Sequence, residues 1–188
     1  MKRNKVFLAV AAAINALVNP VFGVLGGVLR YGDRGDGRHP PEETFQSFST
    51  TTYNIAAALT LTEADHAGRT GRFNIAAGVT VTLPRATGSG AKYRFVVQVT
   101  VTSVNDVIKV ANTDDSMVGT IYMSQDSADT NVTFDIAADD DTITMNGSTK
   151  GGIKGDIIEI EDVATGLFFV LAHLKGTGTE ATPMSAAV

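Results

Sequence analysis

Val79-Thr80-Val81-Thr82-Leu83 reads apolar, polar, apolar, polar, apolar. A period of two marks a β-strand with one buried face. The same beat recurs downstream. Phe95, Val97, Val99 and Val101 alternate with Val96, Gln98 and Thr100, and Val132, Phe134 and Ile136 alternate with Thr133 and Asp135. Ile143 and Met145 flank Thr144, and Ile158 and Ile160 flank Glu159. Strand starts fall near 79, 93, 107, 119, 131, 142, 156 and 167. Turn-forming clusters separate them, among them Pro84 to Gly90, Asn112 to Ser116, Ala137 to Asp141 and Asp162 to Gly166. Asn146-Gly147 is a tight-turn pair. Leu167 to Leu171 is a continuous apolar run, expected as a central strand covered on both faces. The pattern predicts an all-β body, a compact β-barrel or jelly-roll-like sandwich of about eight short strands. No strand–helix–strand alternation appears, which argues against a nucleotide-binding α/β fold. One short helical turn is expected from Glu63 to Gly68, with Thr62 as its cap.

Composition agrees with that reading. Of 188 residues, 44% are hydrophobic and 19% charged, a balance that builds a core rather than a disordered chain. The absence of cysteine excludes a disulfide scaffold, a thiolate metal site and a cysteine nucleophile. The net charge of −5 hides two halves. Residues 1–40 carry six basic and two acidic side chains, and residues 41–188 carry nine and eighteen. An acidic body repels phosphates, so no nucleic-acid partner is expected there.

The basic half contains an apolar stretch. From Val6 to Leu29 no residue is charged, and Lys2, Arg3, Lys5 and Arg30 flank the stretch. Four readings compete for it. A secretory signal would show this basic start and apolar run. A transmembrane helix needs about 20 apolar residues, but Asn15, Asn19 and Pro20 stand in the middle. An ordinary core helix would suit the Ala-rich residues 3–18, ending at Pro20 and the Gly23, Gly26, Gly27 cluster. The favoured reading is a partly helical docking arm that buries its apolar side chains in another subunit. Its contact residues would be Val6, Phe7, Leu8, Ile14, Leu17, Val21, Phe22, Leu25, Leu29 and Arg30. Several arms on one oligomer would hold far better than one, through effective concentration. Residues 1–54 are thus read as arm and linker, and residues 55–188 as the β domain with an extended C-terminal tail. The tail, Lys175 to Val188, has little to pack and is expected to be extended or to lie on a neighbouring subunit.

Little in the sequence points to catalysis. There is no GxSxG elbow, phosphate loop or HExxH helix. His39, His66 and His173 are scattered, and His66 with Asp65 and Glu63 is the one group that could orient an imidazole. Asp139-Asp140-Asp141 and Asp114-Asp115 are acidic runs without the spaced pattern of a calcium loop, and read as solvated turns. Asn131-Val132-Thr133 and Asn146-Gly147-Ser148 are formal glycosylation acceptors. Arg34-Gly35-Asp36 matches an integrin-ligand tripeptide but is also what a flexible, charged loop contains. No catalytic residue, metal or cofactor is expected.

Three segments carry a family resemblance: Leu61 to Arg69 (Leu-Thr-Glu-Ala-Asp-His-Ala-Gly-Arg), Val79 to Gly90, and the stretch from Asp141 to Pro183. The last includes Gly151-Gly152-Ile153-Lys154-Gly155-Asp156 and Gly176-Thr177-Gly178-Thr179-Glu180-Ala181-Thr182-Pro183. Across residues 58–185 the chain resembles β-rich domains of tailed-bacteriophage virion proteins, especially capsid decoration (cement) proteins and head fibres. Related modules occur in tail fibres. The resemblance implies a non-enzymatic homotrimer on the capsid exterior that braces major capsid protein subunits. A tail-fibre or adhesin-type binding module and a membrane-anchored β domain stand as alternatives. The leading reading expects no membrane partner.

Overall fold

A computed structural model of the chain describes residues 51–125 and 131–188. The described residues form twelve strands and one helical turn. In chain order these are β1 (Thr52–Ile55), β2 (Leu59–Thr60), α1 (Glu63–His66), β3 (Thr70–Phe73), β4 (Thr80–Thr82), β5 (Lys92–Val97) and β6 (Asp106–Lys109). Then follow β7 (Ser116–Gln125), β8 (Asn131–Asp135), β9 (Thr142–Met145), β10 (Ile157–Ala164), β11 (Leu167–Gly176) and β12 (Met184–Ser185). They form a sandwich of a seven-stranded sheet, ordered β1-β3-β5-β10-β11-β7-β8, and a five-stranded sheet, ordered β12-β9-β6-β4-β2.

The all-β expectation holds, and each of the eight anticipated strand positions carries a strand. The pairing has a feature that the alternation did not announce. Up to β6 the chain switches sheet at every strand, so β1, β3 and β5 lie parallel in the large sheet, and β2, β4 and β6 lie parallel in the small one. The result is a stack of three coils. Tyr53, Gly71 and Phe95 align in one sheet, and Leu59, Val81 and Ile108 align in the other. Parallel neighbours need a crossover connection, and here the opposite sheet supplies it. After β6 the chain changes style. β7–β8 and β10–β11 are antiparallel hairpins, and β11 then runs parallel to β7 over its full length, from Leu167↔Ser116 to Gly176↔Gln125.

Alternation sets what each strand buries. β5 turns Tyr93, Phe95 and Val97 inward and Lys92, Arg94 and Val96 outward. With Phe73, Phe168, Ile108, Met117 and Ile143 these form one continuous core between the sheets. β5 stops at Val97 rather than continuing to Val101, because the amides of Gln98 and Val99 both turn to the Phe73 carbonyl. The run Leu167 to Leu171 is interior within its sheet, yet it buries only one face: Phe168 and Val170 point in, and Phe169 is 44% exposed. That corrects the expectation of a strand covered on both sides. β1 also brings Thr52, Tyr53 and Asn54, read as the end of the linker, into the large sheet.

The C-terminal tail folds back on its own body. β12 pairs with β9, Met184 is buried, and the Ala187 and Val188 amides donate to the Asp141 carboxylate. The expectation of a tail with little to pack missed Met184, a single apolar anchor, and the acceptor at Asp141.

Candidate interaction surface

The outer face of the large sheet is the most distinctive surface of the described body. β11 directs Phe169, Leu171 and His173 outward, and β7 directs Val118, Thr120 and Tyr122 outward. Because these two strands are parallel and in register, Phe169 stands beside Val118, Leu171 beside Thr120, and His173 beside Tyr122. The last pair stacks, with ring centroids 5.4 Å apart and planes 16° from parallel. Phe169 and Tyr122 are each 44% exposed and Val118 40%. Toward β10 and β5 the face becomes polar, with Arg94–Glu159 and Lys92–Glu161 ion pairs across the strands, each 3.3 Å long. These exposed pairs add little stability. Chemically, the face offers an apolar and aromatic strip bordered by charge. Phe169, Tyr122 and Val118 are already more than half buried, so covering the strip would gain roughly 1 kcal/mol for each.

At the ends of the sandwich the loops are held by buried aspartates. Asp162, on β10, receives the Thr87, Gly88 and Ser89 amides and the Thr87 and Ser89 hydroxyls. Burial pushes its carboxyl up, but these donors outweigh burial and hold it below its ordinary value. Asp141 behaves alike: burial opposes ionisation, while the Ala187 amide, the Thr142 hydroxyl, the Val188 amide and the Lys109 charge together lower its pKa. Asp156 accepts from the Gly152, Ile153 and Lys175 amides. It is wholly buried, and burial wins, taking its carboxyl up to about 6. Asp106 has only the Val79 amide, its Oδ2 is buried without a partner, and burial takes it up to about 6 as well. Asp115 receives the Ala86 amide and the Asn112 side chain. Reading the acidic turns as uniformly solvated therefore fails at Asp115 and Asp141, which are 3% and 6% exposed.

The other singled-out residues have structural partners. Thr62 caps α1 as expected, its hydroxyl oxygen accepting from the Asp65 amide. Asp65 and His66 do not form a pair. Asp65 bonds the Thr62 hydroxyl, and the His66 ring sits against the Thr62 backbone with its edge toward Tyr53, 5.0 Å between centroids. Asp140 receives the Ala137 amide. Asn146 ties its own turn, accepting from the Ser148 and Lys150 amides and donating to Thr149. That turn crosses from the small sheet to the large one instead of closing a hairpin. Asn131 opens β8 and is exposed. Among the described residues no group of three or more His, Asp or Glu could hold a metal ion. No helix among them is long and apolar enough to cross a membrane.

The proposed arm contacts, Val6, Phe7, Leu8, Ile14, Leu17, Val21, Phe22, Leu25, Leu29 and Arg30, lie outside the described residues, as do His39 and Arg34-Gly35-Asp36. The Tyr122–His173–Phe169 strip escaped sequence reading because its members are far apart in the chain. The one available signal was Phe169 beside Phe168, two aromatics that a strand must send to opposite faces. Comparison of the chain with protein-family models, curated proteins and solved structures finds no match.

Proposed function

We propose that the protein is a structural component of a tailed-phage virion, a homotrimer that decorates the capsid exterior and stabilises it by binding major capsid protein subunits. The observation that carries this reading is the exposed strip of Phe169, Val118, Tyr122 and His173 on a framework of two sheets. A preformed apolar surface suits protein contact. The uncharged, apolar residues 6–29 between basic flanks support a second, arm-mediated attachment. The sequence resemblance described above supports the phage setting. The mechanism is linkage: a ligand that binds the assembled shell and not its dissociated subunits stabilises the shell in proportion to its occupancy. Three arms on one trimer would multiply the hold of each. No step of this mechanism involves bond making or breaking.

The test is sedimentation of the purified protein with undecorated phage capsids, read by gel densitometry and cryo-electron microscopy. The full chain is expected to saturate the shell in many copies. Deleting residues 1–40 is expected to abolish co-sedimentation, and Tyr122→Ser with Phe169→Ser to weaken it. Recovery of only a few copies at the tail would favour the tail-fibre reading instead. Flotation of the full chain with liposomes would favour a membrane anchor.

A further inference from the structure

Four of the five buried aspartates named above, all but Asp115, divide between the two ends of the sandwich. Asp106 opens β6 and Asp156 immediately precedes β10, at the end where β3, β5 and β9 finish. Asp141 precedes β9 and Asp162 lies near the finish of β10, at the opposite end. Each group anchors loops. At the first end Asp106 holds the Val79 amide, and Asp156 holds Gly152 and Ile153. Those loops are tied together through segment 98–105, where Val101 donates to Gly152, Thr102 to Ala76 and Val104 to Ala77. At the second end Asp162 gathers residues 87–89, and Asp141 gathers the chain terminus.

The carboxyls differ in how well the anion is received. Asp162 has five donor groups, and Asp141 and Asp156 have three each. Asp106 has one donor and an orphaned, solvent-free oxygen. Neither β4 nor β9, which flank its strand, carries a titratable residue, and nor do segments 74–79 and 98–105. Lys109, on the same strand, alternates to the other face. The charged groups that bear on the other carboxylates are Lys175 on Asp156, Lys109 on Asp141, and the Asp162 charge itself on Tyr93.

We propose that carboxyl-held loops at the two ends of the sandwich respond to protons in opposite directions. The loop held by Asp106 tightens as the solution acidifies, and those held by Asp141 and Asp162 loosen. An unpaired charge in a dry site opposes the closed loop, and a proton removes that opposition. For Asp106 the stabilisation is complete below the unfolded value of 3.8 and is lost as pH rises through about 6. For Asp141 and Asp162 it is present above 3.8 and is lost as pH falls below it. The proposal stands independently of what the protein binds.

Amide hydrogen exchange on the full chain, corrected for intrinsic rates, tests it. Between pH 7.5 and pH 5, protection of Val79 should rise about tenfold, the linkage expected for a carboxyl moving from 3.8 to about 6. Protection of Gly88, Ser89 and Ala187 should fall only below pH 4. Asp106→Asn should give Val79 its high protection already at pH 7.5. Protection of Val79 that is flat or falling on acidification overturns the proposal. Should the variant not fold, carbon-13 titration of the Asp106 carboxyl in the unaltered chain decides. A midpoint near 3.8 sinks the idea, and one near 6 sustains it.

Discussion

Replacing Asp162 with alanine removes the single acceptor around which residues 87–89 are folded. The Thr87, Gly88 and Ser89 amides lie 3.0, 2.7 and 3.1 Å from its oxygens, and the Ser89 hydroxyl lies 2.9 Å away. In Asp162→Ala those donors lose an ionised acceptor at a site where Asp162 is only 3% exposed. Each lost bond to a charged group would cost roughly 1.5–3 kcal/mol if the donor stayed dry. The loop is only partly buried, so water reaches some of the donors. The expected loss is therefore nearer 1 kcal/mol per amide, roughly 3 kcal/mol in all. That is a large share of the stability of an ordinary domain, about 5–15 kcal/mol. The chain has no tryptophan, so the assay is urea unfolding followed by far-ultraviolet circular dichroism at pH 7. The difference from the unaltered chain should shrink as pH falls below 3.8, because protonation already removes the Asp162 contribution there. A loss below about 0.5 kcal/mol at pH 7 would show that the loop holds without its carboxylate, and would refute this account.

Two further outcomes follow from the packing. Gly119 has φ 134°, and a Cβ there would lie 2.0 Å from the Val170 carbonyl oxygen. Gly119→Ala should therefore part β7 from β11 and cost at least about 3 kcal/mol, seen as a fall in Tm or as insoluble expression. Removing residues 184–188 deletes β12, buried Met184 and two donors to Asp141. Thermal melts should show a loss of about 2–4 kcal/mol, whereas a tail without structural work would leave Tm unchanged.

Much of the fold was legible because strand alternation is local. Val79 to Leu83, Ile143 to Met145 and Ile158 to Ile160 state their own buried faces, and Thr62 states its own cap. Pairing was less legible. Nothing near Thr52 or Leu59 reveals that β1 will lie parallel to β3 while β2 crosses to the other sheet. Those short strands, of four and two residues, are held by neighbours rather than by their own pattern. The candidate surface was the least legible of all, since Tyr122 meets His173 only because β11 slots in beside β7.

An all-β body of short strands, an acidic domain joined to a basic and apolar N-terminal stretch, and the position of one capped helical turn can all be read along the chain. Side-chain periodicity, turn chemistry and charge are properties of consecutive residues, and these are read without knowing what lies across the fold. Which strands are neighbours, which aromatics share a face, and which aspartates hold buried amides instead of water follow from how the two sheets pack. The Asp162 carboxylate meets Gly88 across 74 positions of chain, and Asp141 meets Val188 across 47. Whether a carboxylate faces solvent or an amide depends on such long-range packing, which no local pattern encodes.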